Sequence, residues 1–316
     1  MHSYLNWGFE PTFGNNIRLC KELPYDFDSD ENNTFIQRIN KLGFDAETDD
    51  DVFECPTKHF FNTRVIDLQY FIHNNYKDLL KLFKEVGFKP SSCYKNIENE
   101  GGGHIHLSQD RLFEQSEKFQ NLFRYNMIVF CANFPELNYL MNNPHDNYNA
   151  NRFLVNRKVY NRNFKTGRAF YSKPRISALK QLKFGCLYGF NNKCFPIIFR
   201  QNTIEFRLFI MPRTLNELKF HFNIAFSIYE MIWNTTLNNK RIINLKRKVT
   251  TFKESCKFSK EMFKLIKLNK EEILFIEKFK MPFMKFRFEH DEYWSKELHT
   301  NPFDYEESFE EIKLLC

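Results

Sequence analysis

The stretch Thr203-Ile204-Glu205-Phe206-Arg207-Leu208-Phe209 constrains this chain most, because apolar and polar residues alternate through it. As an extended strand it places Ile204, Phe206 and Leu208 on one face and Glu205 and Arg207 on the other. Such a strand requires a core behind it and aims a carboxylate and a guanidinium together away from that core. Residues at i and i+2 on one strand face are about 7 Å apart at their bases. That spacing predicts that Glu205 and Arg207 stand side by side without collapsing into a simple ion pair. Three other stretches share the pattern. Gly103-His104-Ile105-His106-Leu107 sets two histidines against Ile105 and Leu107, Trp7-Gly8-Phe9-Glu10 sets Glu10 against Trp7 and Phe9, and Val52-Phe53-Glu54 ends an apolar run in a carboxylate. The plain alternative is a solvated sheet face, with cross-strand ion pairs and hydrogen-bonded histidines.

The rest of the chain supplies the elements to cover such strands. Residues 5–13 read as the first strand, broken by Pro11 and Gly14. A short helix is expected over 34–42. The five acids between Asp45 and Asp51 read as a solvated turn. Leu68, Ile72, Tyr76, Leu79, Phe83 and Val86 recur at helical spacing, with Gly87 as the stop. A second long helix is expected over 115–142, kinked or broken at Pro135, and a third over 214–234. Strands at 184–190 and 196–200 about the Asn191-Asn192 turn predict a hairpin. Lys-rich helical segments at 251–280 and an acidic tail follow, and there is no internal repeat. His221, His290 and His299 have no partner pattern and read as structural.

These elements predict an α+β fold, in which a curved, largely antiparallel sheet forms a concave site and the helices at 65–86, 115–142 and 214–234 cover its other face. The expected organisation is a catalytic domain over 1–235 and a helical C-terminal extension over 236–316, packed on the same domain. The length, 316 residues, allows such a core.

Charge and cysteine usage narrow the function. The eight cysteines include no CxxC pair, which reads as reduced thiols in a cytoplasmic protein. No basic-then-apolar leader stands at the start, and no apolar run approaches the ~18 residues of a membrane span, so no membrane partner is expected. The abundance of Phe, Lys, Asn and Ile fits an AT-rich genome. Net charge is +7, and it is unevenly spread: between Asp146 and Glu205 there are twelve Lys or Arg residues and no acid. Such an interval faces solvent, the protein's own acids or an anionic ligand. Its arginines suit bidentate capture of phosphate or carboxylate, with Arg168, Arg175 and Arg200 the expected contributors. Nucleic acid is a further option, not favoured because no nucleic-acid motif accompanies the charge.

Glu10, Glu54, His104 and Glu205 form an oxygen-rich set that suits Mg2+ or Mn2+ better than structural zinc. With Arg207 and the basic interval beside them, they supply what phosphoryl transfer needs, namely positioning and neutralisation of charge.

The run GGGHIHLS, followed about a hundred residues later by TIEFRLF, resembles the glutamine synthetase-like superfamily. It is most similar to the amidoligases, or carboxylate–amine ligases, of bacteria and phages. GFEPTFG resembles the family's opening acidic strand and VFECP its second. The likeness spans residues 5 to about 230. It implies His104, Glu205, Glu10 and Glu54 on metal, His106 near the phosphates of ATP, and Arg207 at the transferred phosphate. It also implies ATP and Mg2+ (or Mn2+) as cofactors, with a carboxylate and an amine as substrates, in the host cytoplasm if the gene is a phage's. The expected activity is amide formation through an acyl phosphate. Two alternatives stay open: a phosphotransferase of the same fold, and a non-catalytic binding or virion-associated protein. One departure bears on them. The family's opening strand carries two acids at i and i+2, and here Thr12 follows Glu10. Asp51, Glu98 or Glu100 stand as candidate replacements.

Overall fold

Seven strands form one sheet in which every pairing is antiparallel. They are β1 (Asn6–Phe13), β2 (Glu47–Asp49), β3 (Val52–Glu54), β4 (Phe61–Asn62), β5 (Gly103–Ser108), β6 (Ile197–Phe199) and β7 (Thr203–Phe206). The order is β2-β3-β1-β5-β7-β6, with β4 also beside β1. The structure is a computed structural model and describes residues 5–13, 34–49, 52–58, 61–62, 65–85, 102–134, 136–141, 197–212, 214–243, 251–282 and 285. Mixed helix and antiparallel sheet agree with the α+β expectation. Among the described residues no helix is long and apolar enough to cross a membrane.

β1 runs unbroken through Pro11, contrary to the sequence expectation. A proline in a paired strand is tolerated where its missing N–H removes no ladder bond. Thr12 N donates towards β5, to Gly102 O at 2.8 Å, so position 11 faces the opposite edge. On that edge the partners change, from β4 at Asn6 and Trp7 to β3 at Thr12 and Phe13. The carbonyl of Pro11 still accepts from Cys55 N at 3.0 Å. The acids after Asp45 also differ from expectation. Glu47–Asp49 is a strand paired with β3 rather than a solvated turn.

The alternation of Thr203–Phe209 stops early. The ladder pairs Ile105 with Phe206, and the next bridge pairs Gly102 with Ile210. Gly103 and His104 thus face Arg207, Leu208 and Phe209, a bulge of three residues against two. Close approach there explains the glycines. A Cβ on Gly103 would stand 2.9 Å from Ile210 O and 3.0 Å from Pro212 Cδ. Gly103→Ala is therefore expected to destabilise the protein by about 1–3 kcal/mol through overpacking. The measurement is the denaturant midpoint, and an unchanged midpoint would refute the close-packing account.

Trp7, Phe9, Ile105, Leu107, Ile204 and Phe206 form the buried face of the sheet. Over it lies a helical run made of α2 (Val65–Tyr70), a π-helical segment (Phe71–Tyr76) and α3 (Lys77–Glu85). The predicted inner residues Leu68, Ile72, Tyr76, Leu79 and Phe83 are all buried, although the run is not a uniform α-helix. Trp7 meets Phe71 and Phe222 edge-on at 5.1 and 4.7 Å, and Phe9 meets Tyr76 at 5.4 Å. Phe222 belongs to the 23-residue helix α7 (Leu215–Leu237), whose N-cap Thr214 accepts from Glu217 N.

The expected helix over 115–142 is divided. A short α4 (Asp110–Phe113) precedes α5 (Glu117–Asn133), and α6 (Glu136–Leu140) follows. Phe134 leaves the helical region at φ −128°, as expected of a residue before proline. α5 packs along α7 through Phe123 against Tyr229. The segment expected over 251–280 is likewise α8 (Phe252–Leu265), then α9 (Lys270–Phe275) running into a π-helical segment Ile276–Lys280. It docks on the sheet-covering helices through buried Lys280, which donates to Glu217, and through Ser255, which donates to Glu136 at 3.0 Å. The 184–190 strand, its turn, Val86, Gly87, His290, His299 and the acidic tail lie outside the described residues.

Candidate active site

Residues paired directly across an antiparallel ladder project to the same face. The register pairs Glu10 with His104, His106 with Glu205, and Thr12 with Glu54. All six stand on the face opposite Trp7, Phe9, Ile105 and Ile204. Four strands thereby bring their polar residues together because each strand's apolar residues must enter the same core.

The centre of this face is Glu205, 1% exposed. Arg207 Nη1 donates to its Oε1, and Arg200 Nε donates to its Oε2 at 2.5 Å. His104 Nδ1 lies 3.5 Å from Glu205 Oε1 and 2.8 Å from Glu10 Oε1. His106 Nε2 lies 3.5 Å from Glu10 Oε2, and its Nδ1 lies 3.4 Å from Thr203 Oγ1. The direct Arg207–Glu205 pair corrects the expectation that these two stand apart. The reason is the bulge, which removes Arg207 from regular strand spacing just where that expectation assumed it.

Electrostatics fix the protonation of the cluster. Burial works to raise the Glu205 carboxyl. Arg207 first, then His104, His106 and Arg200, outweigh it and hold the group at about 2. Glu10 is similarly pushed up by burial, but its hydrogen bonds from His104 and His106 carry it well below the ordinary carboxylate range. Both carboxylates are thus ionised at neutral pH. His104 is pushed below its ordinary value by burial and by Arg207, against the pull of Glu10 and Glu205. A neutral imidazole facing an ionised carboxylate must donate from the nearer nitrogen, so Nδ1–H bonds Glu10 and Nε2 keeps a lone pair. Gly102 leaves room beside that nitrogen: a Cβ there would stand 3.1 Å from Nε2.

Arg200 reaches Glu205 because a tight turn joins β6 to β7. Arg200 N donates to Thr203 O at 2.7 Å. Gln109, 1% exposed, clamps that turn by donating from Nε2 to Arg200 O and Thr203 O and from its backbone N to Asn202 O. Sequence reading missed Gln109. The only signal is its position just after the histidine strand.

Of the predicted residues, Glu10, His104, His106, Glu205, Arg207 and Arg200 come together. Glu54 shares their face one strand further out, opposite Thr12 rather than Glu10. Arg168 and Arg175 lie outside the described residues, as do Asp51, Glu98 and Glu100. Glu47 was overlooked as a turn acid, yet the register sets it directly opposite Glu54.

Among the described residues no three His, Cys, Asp or Glu side chains are arranged to hold a metal ion. The carboxylate oxygens of Glu205 are instead directed at Arg200 and Arg207. The chemistry of the donors nevertheless fits a hard divalent cation: two ionised carboxylates flank a neutral imidazole. Compared with known proteins, the chain matches no family model and no curated sequence.

Proposed function

We propose that this protein is an ATP- and Mg2+-dependent carboxylate–amine ligase. The observation that carries the reading is the convergence of Glu10, His104, His106, Glu205, Arg200 and Arg207 on one face of an apolar-backed antiparallel sheet. Carboxylates, imidazoles and guanidiniums packed this closely suit a reaction that brings two anions together, since cations and arginines offset the repulsion.

In this reading Glu10, Glu205 and the neutral His104 hold a divalent cation, with Glu54 as a further acid on the same face. The cation, when bound, neutralises the phosphates of ATP and polarises the transferred group. Arg207 and Arg200 turn from Glu205 towards phosphate oxygens. His106 lies beside Thr203 at the edge of the cluster, where it donates to a phosphate. The γ-phosphoryl group passes to a carboxylate oxygen and ADP leaves. The amine nitrogen then attacks the acyl carbon, the bond to the phosphate oxygen breaks, and inorganic phosphate departs.

A second reading is supported by the same contacts. Glu205 is neutralised by two arginines without any ligand, as in a non-catalytic binding protein that keeps the fold. A thermal-shift screen with ATP and Mg2+ or Mn2+ separates the readings. A nucleotide at ~100 times its Kd adds about 2.7 kcal/mol of stability. We expect a rise in Tm that needs nucleotide and metal together. No shift with any nucleotide–metal pair overturns the ligase. A shift accompanied by ATP turnover that needs no amine points to a phosphotransferase.

A further inference from the structure

We propose that Glu47, Glu54 and Thr12 form a second divalent-cation site, separate from the cluster around Glu205. The site stands on register and burial alone, and only its use by ATP rests on the function proposed above.

The three residues lie in one row across β2, β3 and β1. Glu47 is the direct partner of Glu54, and Glu54 is the direct partner of Thr12. Cys55 N bonds Pro11 O, and Thr12 N turns the other way to Gly102 O, so Thr12 and Glu54 form a non-hydrogen-bonded pair. Such pairs bring side chains closest, with Cα atoms about 4.5 Å apart. Two carboxylates directly opposite each other repel, and a divalent cation between them converts the repulsion to attraction. Independently, Thr12 is 4% exposed and its Oγ1 has no hydrogen-bond partner. The alternation of β1 aims that oxygen at the face carrying Glu54. A buried hydroxyl without a partner, beside two carboxylates, is a ready third ligand.

The surrounding field agrees. The buried Cys55 thiol is pushed well up, first by burial and then by Glu54, Glu10 and Glu47 together. All three proposed ligands are hard oxygens, which suits Mg2+ or Mn2+ with water completing the shell. Thr12, which departs from the family's paired acids, then keeps a metal role because Glu47 supplies the missing charge from another strand.

Mn2+ binding to the full chain without nucleotide, followed by calorimetry and electron paramagnetic resonance, tests this. The wild type is expected to bind two ions. Glu47→Gln should bind one, or bind the second at least tenfold more weakly. Thr12→Val should weaken the same ion while raising the Tm of the metal-free protein, since a methyl group needs no partner. Glu205→Gln should lose the other ion and keep this one. Wild-type stoichiometry and affinity in both Glu47→Gln and Thr12→Val overturn the site, whatever Glu205→Gln does. Loss of an ion in Glu47→Gln with none lost in Glu205→Gln supports this site and removes the metal role of Glu205.

Discussion

Glu205→Ala is expected to destabilise the protein by about 3–5 kcal/mol, because it leaves a buried charge without its partner. Arg207 is only 8% exposed and donates to Glu205, and Arg200 and His104 approach the same carboxylate. Alanine removes the acceptor and leaves Arg207 no water to turn to. Glu205→Gln keeps the volume and one acceptor oxygen, so it should retain the fold at a smaller cost. The same carboxylate sets a pH dependence. Its folded pKa of about 2 lies below that of an unfolded glutamate. The stability it contributes is present above the unfolded value and is lost as pH falls through the folded one. Between about pH 5 and 2 the wild type should therefore lose on the order of 3 kcal/mol from this group. Urea midpoints across that range, compared with Glu205→Gln, measure the difference. Identical acid slopes in the two proteins would show that Glu205 is not held ionised by its arginines.

Arg207→Lys is expected to lower ATP-dependent turnover by about 10²–10³-fold, the usual loss when a donor to a transition-state charge is removed. Nucleotide affinity should change far less. Lysine keeps the charge and its attraction to Glu205 but loses the planar fork that bonds a carboxylate and a phosphate oxygen together. That contact matters most as charge redistributes on the moving phosphoryl group, so the loss falls on kcat. Arg207 is well placed for such a part. The bulge takes it out of the ladder, and its guanidinium lies against the carboxylate proposed to hold the cation. Amide formation and nucleotide binding, measured side by side, give the answer. Equal turnover in wild type and Arg207→Lys removes Arg207 from the reaction. Equal loss of turnover and affinity makes it an ordinary phosphate-binding residue.

Much of this site was legible in the chain because strand alternation is local. Any strand with Ile204, Phe206 and Leu208 facing a core must send Glu205 to the other side, and the same holds for His104, His106 and Glu10. Their meeting on one face follows from one demand, that all the apolar residues enter a single core. The six aromatic and aliphatic positions behind the site obey it without exception. The likeness in GGGHIHLS and TIEFRLF added the order of these strands along the chain.

What the sequence could not carry is register, because pairing between distant segments leaves no local mark. Nothing in Glu47 tells it from its acidic neighbours until β2 sets it opposite Glu54. Pro11 looks like a strand breaker until the ladder shows that its missing N–H faces the edge where partners change. The alternation through Arg207 promised seven regular positions. Only the tertiary pairing, with two residues of β5 against three of the returning chain, turned Arg207 onto Glu205. The sequence by itself determined which residues share the polar face, since a period of two decides that within each strand. The tertiary structure decided which of them touch, since contact depends on register, and register is settled by how whole strands bury their apolar faces together.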